Sequence, residues 1–294
     1  MIPMKNTAIT DPLFREAVEA IDGGNIAVLE SLVTAHPRLV KERLSSTEEG
    51  YFKDPWLIWF VADNPIRIEK LAPNIVEVTR LLIQAVKRGA SSVQEQLDYT
   101  LGLVATGRIP RECGVQIEMI DLLIDEGAKP GGGLGALAHG NIAAAQRLIE
   151  RGGKLTLAAA IGLDRVADVE RLTSGVSQDE LLAALALAGF YGKPAMISYL
   201  LGAGADPNGY PKSESGFHSH ATPLHQAVYS GNLEAVKLLV EAGARLDVPD
   251  KIYSGTPLGW ALHMPSEEGM DEAAKKNYAT IAGYLRGREG SGAG

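Results

Sequence analysis

A short phrase occurs twice near the C-terminal end of the chain, and it constrains the fold more than any other feature. Thr222-Pro223-Leu224-His225-Gln226-Ala227-Val228 opens one stretch, and Thr256-Pro257-Leu258-Gly259-Trp260-Ala261-Leu262 opens the next, about 34 residues later. Between them lies an amphipathic run from Gly231 to Ala244, in which Leu233, Val236, Leu239 and Val240 share one helical face. Thr222 and Thr256 each precede a proline, the order expected where a hydroxyl caps a helix and proline fills its first turn. A helix–turn–helix unit of this length cannot bury its apolar face alone, so it must stack on neighbouring units.

The second helix of the unit is the better ruler for finding its relatives. Its apolar face recurs as Ile26, Leu29, Leu32, Val33, then as Ile75, Val78, Leu81, Leu82, and as Ile117, Ile120, Leu123, Ile124. It continues as Ile142, Ala145, Leu148, Ile149, then Val166, Val169, Leu172, then Ile197, Leu200, Leu201, and finally Tyr278, Ile281, Tyr284, Leu285. Eight units over residues 11–287 follow. Gly127, Gly152, Gly204 and Gly243 stand where a helix needs a left-handed residue to end.

The Thr-Pro-Leu-His opening, the Gly-Ala-Asp-Pro-Asn run at 204–208 and the repeat length together resemble the ankyrin repeat. The resemblance implies an all-α, ankyrin-like helical solenoid of about eight helix–turn–helix units, occupying residues 1–287 as a single body. Residues 288–294, rich in glycine, read as a disordered tail. It also implies that His225, with the capping Thr222, is structural, holding the helix start and the neighbouring turn.

The spacing departs from the family. The matching positions 32, 81, 123, 148, 172, 200, 239 and 284 are closer together in the centre, and further apart at the ends, than a unit of about 33 residues allows. β-Finger loops are therefore expected to be best formed in the outer units and reduced in units four to six. The extra residues fall at 35–54, 63–73, 107–115, 205–221 and 263–276. Long ordered loops often carry function, and loops on both flanks of a fingerless centre would partly enclose a concave groove.

Charge narrows the partners. A net charge of −8 and a pI near 5.3 argue against nucleic acid or an anionic membrane, which need a basic face. The longest uncharged apolar stretch, residues 181–192, is too short to span a bilayer, and residues 1–7 lack the apolar core of a signal peptide. A soluble, cytoplasmic protein is expected. Cys113 is the only cysteine and reads as a small loop residue rather than a nucleophile.

Three groups of residues invite a functional reading. In Phe217-His218-Ser219-His220, an extended finger would project both imidazoles to one side. His218 and His220 are thus weak candidates for a metal pair, with His225 or Asp206 as a third ligand, or for acid–base work. Shaping the long finger is the simpler role. The stretch Tyr51-Phe52-Lys53-Asp54-Pro55-Trp56-Leu57-Ile58-Trp59-Phe60 is first a core helix, and second a pocket wall contributed by Trp56 and Trp59. Phe190, Tyr191, Tyr229 and Trp260 raise the same question, because first helices line the inner face of such stacks. Asp63, Arg67, Glu69, Arg108, Arg111 and Glu112 lie in inserted loops, where the arginines could receive an anion or simply form a solvated face. Gly131-Gly132-Gly133 lacks the Lys-Ser/Thr of a phosphate loop and reads as a turn.

No catalytic motif and no cofactor signature is present. The leading expectation is a module that binds a partner protein through its inner helices and fingers. The alternative is a small-molecule or enzymatic pocket in the concave face that uses histidine acid–base chemistry.

Overall fold

The computed structural model describes residues 9–45, 50–212, 218–267 and 269–291. The chain divides into two compact units, Met1–Lys154 and Leu155–Gly294. Among the described residues every regular element is helical.

In the first unit one layer consists of α1 (Pro12–Asp22), a 3-10 helix (Leu57–Ala62), α5 (Val93–Thr106) and α8 (Leu134–Ala138). The other consists of α2 (Ile26–Ala35), α4 (Ile75–Gly89), α7 (Gln116–Asp125) and α9 (Ile142–Glu150), with the short α3 (Arg38–Lys41) and α6 (Arg108–Glu112) in the inserted segments. α1 packs on α2 and on the 3-10 helix, α5 on the 3-10 helix, α7 and α8, and α9 on α7 and α8. The second unit repeats the arrangement. α10 (Leu157–Gly162), α12 (Gln178–Phe190), α14 (Pro223–Tyr229) and α16 (Pro257–His263) are its first helices. α11 (Val166–Thr173), α13 (Pro194–Gly202), α15 (Leu233–Glu241) and α17 (Glu272–Ser291) are its second helices.

The apolar ruler therefore locates all eight second helices, although the first position of the stripe is exposed in three of them. Ile117, Ile142 and Val166 are exposed in the first turns of α7, α9 and α11; Met119 and Ala144 join the buried stripe in the first two, while in α11 the expected Val169 is buried. The capping chemistry follows the sequence: Asn25 and Asn232 accept from Val28 N and Ala235 N at 3.2 and 3.0 Å. Gly127, Gly152, Gly204 and Gly243 all take positive φ just beyond their helices.

α12 is apolar on every side, and Leu181 through Gly189 are all buried, because α10, α13 and α14 surround it. Its approach to α14 requires a glycine. A Cβ on Gly189 would sit 2.8 Å from Pro223 O and 3.1 Å from Ala227 N. Ser177 and Glu180 close α12 at its start with a reciprocal capping box.

The connections are short where the spacing says so, as at 174–177 between α11 and α12. Among the described residues the longer fingers are held largely by side-chain bonds to the backbone of the neighbouring finger. Asn208 donates to Gly243 O (3.1 Å) and accepts from Arg245 N (2.8 Å), and Tyr210 donates to Pro249 O (2.5 Å). Lys251 N donates to His220 O at 2.8 Å, which joins the two successive fingers.

Residues 288–291 continue α17, with the Arg288 guanidinium 5.3 Å above the Tyr284 ring and 3.7 Å from Glu241, and residues 292–294 of the expected tail lie outside the described residues. The inserted arginines do not converge on an anion site. Arg67 is buried and holds Asp22 with two bonds of 3.0 and 2.9 Å, Arg108 pairs with Glu112 at 2.7 Å, and Arg111 donates to Asn141 at 2.5 Å. Asp63 accepts from Arg67 N and Glu69 N, both at 2.9 Å, and burial raises its pKa despite these bonds and the nearby guanidinium. Arg67 also lies 4.9 Å over Phe60. That cluster clamps the inserted loop to α1.

Candidate functional site

The site in the second unit is built on the Thr-Pro-Leu-His turn. Pro223 occupies the first turn of α14 and Thr222 its cap. The His225 ring is fully buried. Its Nδ1 accepts from Thr222 N (3.4 Å) and lies 2.8 Å from the Thr222 hydroxyl, while Nε2 donates to Gly255 O (3.0 Å). Those partners fit the neutral ring, and burial lowers its pKa, against the Gly255 bond and the Asp250 charge. One imidazole thus couples a helix start to the turn of the following finger, and neither nitrogen is left for a metal.

That finger turns around Asp250. Its Oδ1 accepts from Ile252 N (2.9 Å) and Tyr253 N (2.7 Å), and its Oδ2 accepts from Gly255 N (2.8 Å) and Trp260 Nε1 (3.0 Å). Burial works to raise the carboxyl pKa, but the four donors outweigh it and hold the group down at about 2. Two consequences follow. The Trp260 ring is fixed against His225, 5.0 Å away edge to face, and the finger tip projects Ile252 and Tyr253, 60% and 79% exposed.

From Trp260 a ladder of rings continues along the same unit. His220 lies 6.2 Å from Trp260, His218 lies 5.7 Å from His220, and Phe190 meets His218 edge to face at 5.1 Å. Phe190 also stacks flat on Tyr229 at 5.2 Å and abuts Tyr191 at 5.1 Å. The Gly189 contact makes this stack possible, since it lets the C-terminal ends of α12 and α14 approach. Burial lowers the His220 pKa, offset in part by Asp250, and raises the Tyr191 phenol to about 12. His220 therefore presents an uncharged ring at neutral pH, and Tyr191 keeps its proton as a donor. Tyr229 is exposed, and Phe190, Tyr191, His218, His220 and Trp260 are half-buried.

Six of the aromatic and histidine candidates, Phe190, Tyr191, His218, His220, Tyr229 and Trp260, thus meet in the second unit, where the sequence had offered the histidine pair and the aromatics as distinct groups. Phe217 lies outside the described residues. The metal reading gains no third ligand: Asp206 caps its own turn through Asn208 N (2.9 Å), and no group of three His, Cys, Asp or Glu among the described residues is placed to hold an ion.

Trp56 and Trp59 belong to the first unit. Both are buried, at 7% and 3% exposure, so they present no face to a partner. Trp59 stacks on Tyr99 at 4.0 Å, and the Arg43 guanidinium lies 5.1 and 5.2 Å from the two indole rings. Phe52 and residues 56–60 are buried in the core, whereas Tyr51 at the start of the stretch is exposed. Cys113 is exposed at the end of α6, and Gly133 caps the start of α8 with φ of 76°.

Sequence reasoning passed over Asp250, Ile252 and Tyr253. An aspartate followed within five residues by glycine, ahead of a Thr-Pro helix start, is a side-chain-held turn, and that signal was present.

The comparisons agree with this architecture. A family model described as ankyrin repeats (3 copies) matches residues 82–250 and 181–276. The human protein cyclin-dependent kinase 4 inhibitor B is 31% identical over 142 residues, spanning 39% of this chain and 91% of that protein. No helix among the described residues is long and apolar enough to cross a membrane.

Proposed function

The chain belongs to the ankyrin-repeat family, and from that premise we propose that it binds a partner protein through the second unit, using the ring ladder and the finger tip of residues 250–255. The observation that carries the reading is a partly exposed aromatic surface on fixed supports: half-buried Phe190, His218, His220 and Trp260 and exposed Tyr229 in contact with one another, with exposed Ile252 and Tyr253 projected beside the same Asp250 turn. Tyrosine and tryptophan dominate the energetics of protein interfaces, and rings already held in place lose little entropy on binding. The His220 ring, whose pKa burial lowers, suits a partner surface that is apolar at its centre. The relative's name marks it as an inhibitor of a protein kinase, which supports a protein ligand of some kind for this chain and does not select a kinase.

Photo-crosslinking in the organism's own extract tests the reading. A photoreactive phenylalanine analogue replaces Tyr229 or Tyr253 in the full chain, and Tyr199 on α13 serves as the control. One protein captured at both positions and not at Tyr199, and then bound by the purified chain, supports the reading. Equal capture at Tyr199, or loss of the product on purification, counts against it.

A further inference from the structure

A second site lies in the first unit, in a cavity of about 350 Å³ lined by Tyr51, Asn64, Asp98, Tyr99, Leu103 and Thr106, with His139 at its edge. Its walls come from α5, which supplies Asp98, Tyr99, Leu103 and Thr106, and from the loops that carry Tyr51 and Asn64.

The hydrogen-bond inventory of the lining side chains is one-sided. The Tyr51 hydroxyl donates to Asn64 Oδ1 (2.9 Å), and the Tyr99 hydroxyl donates to Tyr51 O. Asn64 Nδ2 donates to Leu103 O (3.0 Å) and Thr106 Oγ1 (3.1 Å), and the Thr106 hydroxyl donates to Gly102 O (2.9 Å). His139 Nδ1 donates to Gly135 O (2.9 Å), so in the neutral ring Nε2 is a bare lone pair. The donors of these side chains are thus spent on the protein itself.

What remains are acceptors. Asp98 Oδ1 receives both Gln94 Nε2 and Lys129 N, each at 2.7 Å, which leaves Oδ2 without a partner among the described residues. A carboxylate oxygen, an imidazole lone pair and two tyrosine rings on one cavity wall call for a positive charge bearing N–H groups. An anion would find no donor there, and a neutral donor would gain no charge–charge attraction from Asp98.

We propose that this cavity binds an organic cation, an alkylammonium or guanidinium group. The same chemistry is offered by a free amine and by a lysine or arginine side chain of a polypeptide. The proposal rests on residues of the first unit and does not depend on the reading of the ring ladder.

Trp59, stacked on Tyr99, supplies a built-in reporter. The purified full chain is titrated with butylammonium, butylguanidinium, the neutral isostere 1-butanol and an end-blocked lysine pentapeptide, followed by tryptophan fluorescence and the thermal midpoint. The cations are expected to give a saturable fluorescence change and a raised midpoint, and butanol neither. Asp98→Asn keeps the oxygen that caps Gln94 and Lys129, and it is expected to weaken the cations about tenfold. Tyr51→Ala, at an exposed position, is expected to weaken them several-fold. Binding of both cation and peptide supports a site open to either source, and binding of the peptide alone assigns the site to a polypeptide side chain. Equal response to butanol, full affinity in folded Asp98→Asn, or no saturable response to any cation would overturn the proposal.

Discussion

Asp250→Asn should destabilise the second unit in a way that depends on pH. The carboxyl is held at about 2 against an ordinary aspartate value of 3.8. At about 1.4 kcal/mol per pH unit, that gap corresponds to about 2 kcal/mol of stability. Its sign is fixed by the direction of the shift. A pKa depressed in the folded state favours folding above about 4, and the benefit is lost as pH falls from about 4 toward 2. The geometry gives a similar figure. Asparagine retains one acceptor oxygen, so its amide nitrogen faces either Gly255 N and Trp260 Nε1 or Ile252 N and Tyr253 N, placing donors against donors. Urea unfolding of the full chain at a series of pH values, followed by circular dichroism and tryptophan fluorescence, measures the effect. Wild type should exceed the variant by about 2 kcal/mol at pH 7 and pH 5, with the difference shrinking below pH 4. A difference below about 0.5 kcal/mol, or one that stays constant down to pH 2.5, would refute the assignment of Asp250 as the ionised hub of the finger.

Other substitutions test the supports one at a time. His225→Ala removes the bonds to Thr222 N and Gly255 O and leaves a cavity, at a cost of about 2–4 kcal/mol by chemical denaturation. Because burial lowers the pKa of His225, its unfolded form protonates first, so wild-type stability should fall as pH drops below 6.5, and less steeply in His225→Gln. Arg67→Met leaves the Asp22 and Asp63 carboxylates uncompensated and should cost about 3–5 kcal/mol, seen as a lower thermal midpoint. Gly189→Ala forces α12 from α14 and should lower the melting temperature and weaken partner binding together, by separating Phe190 from Tyr229.

The second helices were readable because a single short-range property, an apolar residue every three or four positions, marks them. The reading weakened at helix ends. Ile117, Ile142 and Val166 fit the periodicity yet lie exposed in first turns, where the stripe has not yet met a neighbour. Residues 51–60 gave an aromatic run but not its role, since a buried tryptophan and a binding tryptophan look alike until packing is known. Arg67 shows the same limit for charge. Its partner Asp22 is 45 residues away, and nothing local distinguishes it from the exposed Arg108. The ring ladder was present as separate names, but its adjacency depends on Gly189 and on two fingers meeting through Lys251 and His220.

Hydrogen–deuterium exchange of the full chain, free and bound to the crosslinked partner, gives the most direct test of the binding face. Protection is expected across residues 186–192, 218–229 and 249–263, with the outer helices α13 and α15 unchanged. Protection confined to residues 194–202 and 233–241, with the finger tip at Ile252 and Tyr253 exchanging as in the free chain, would contradict it.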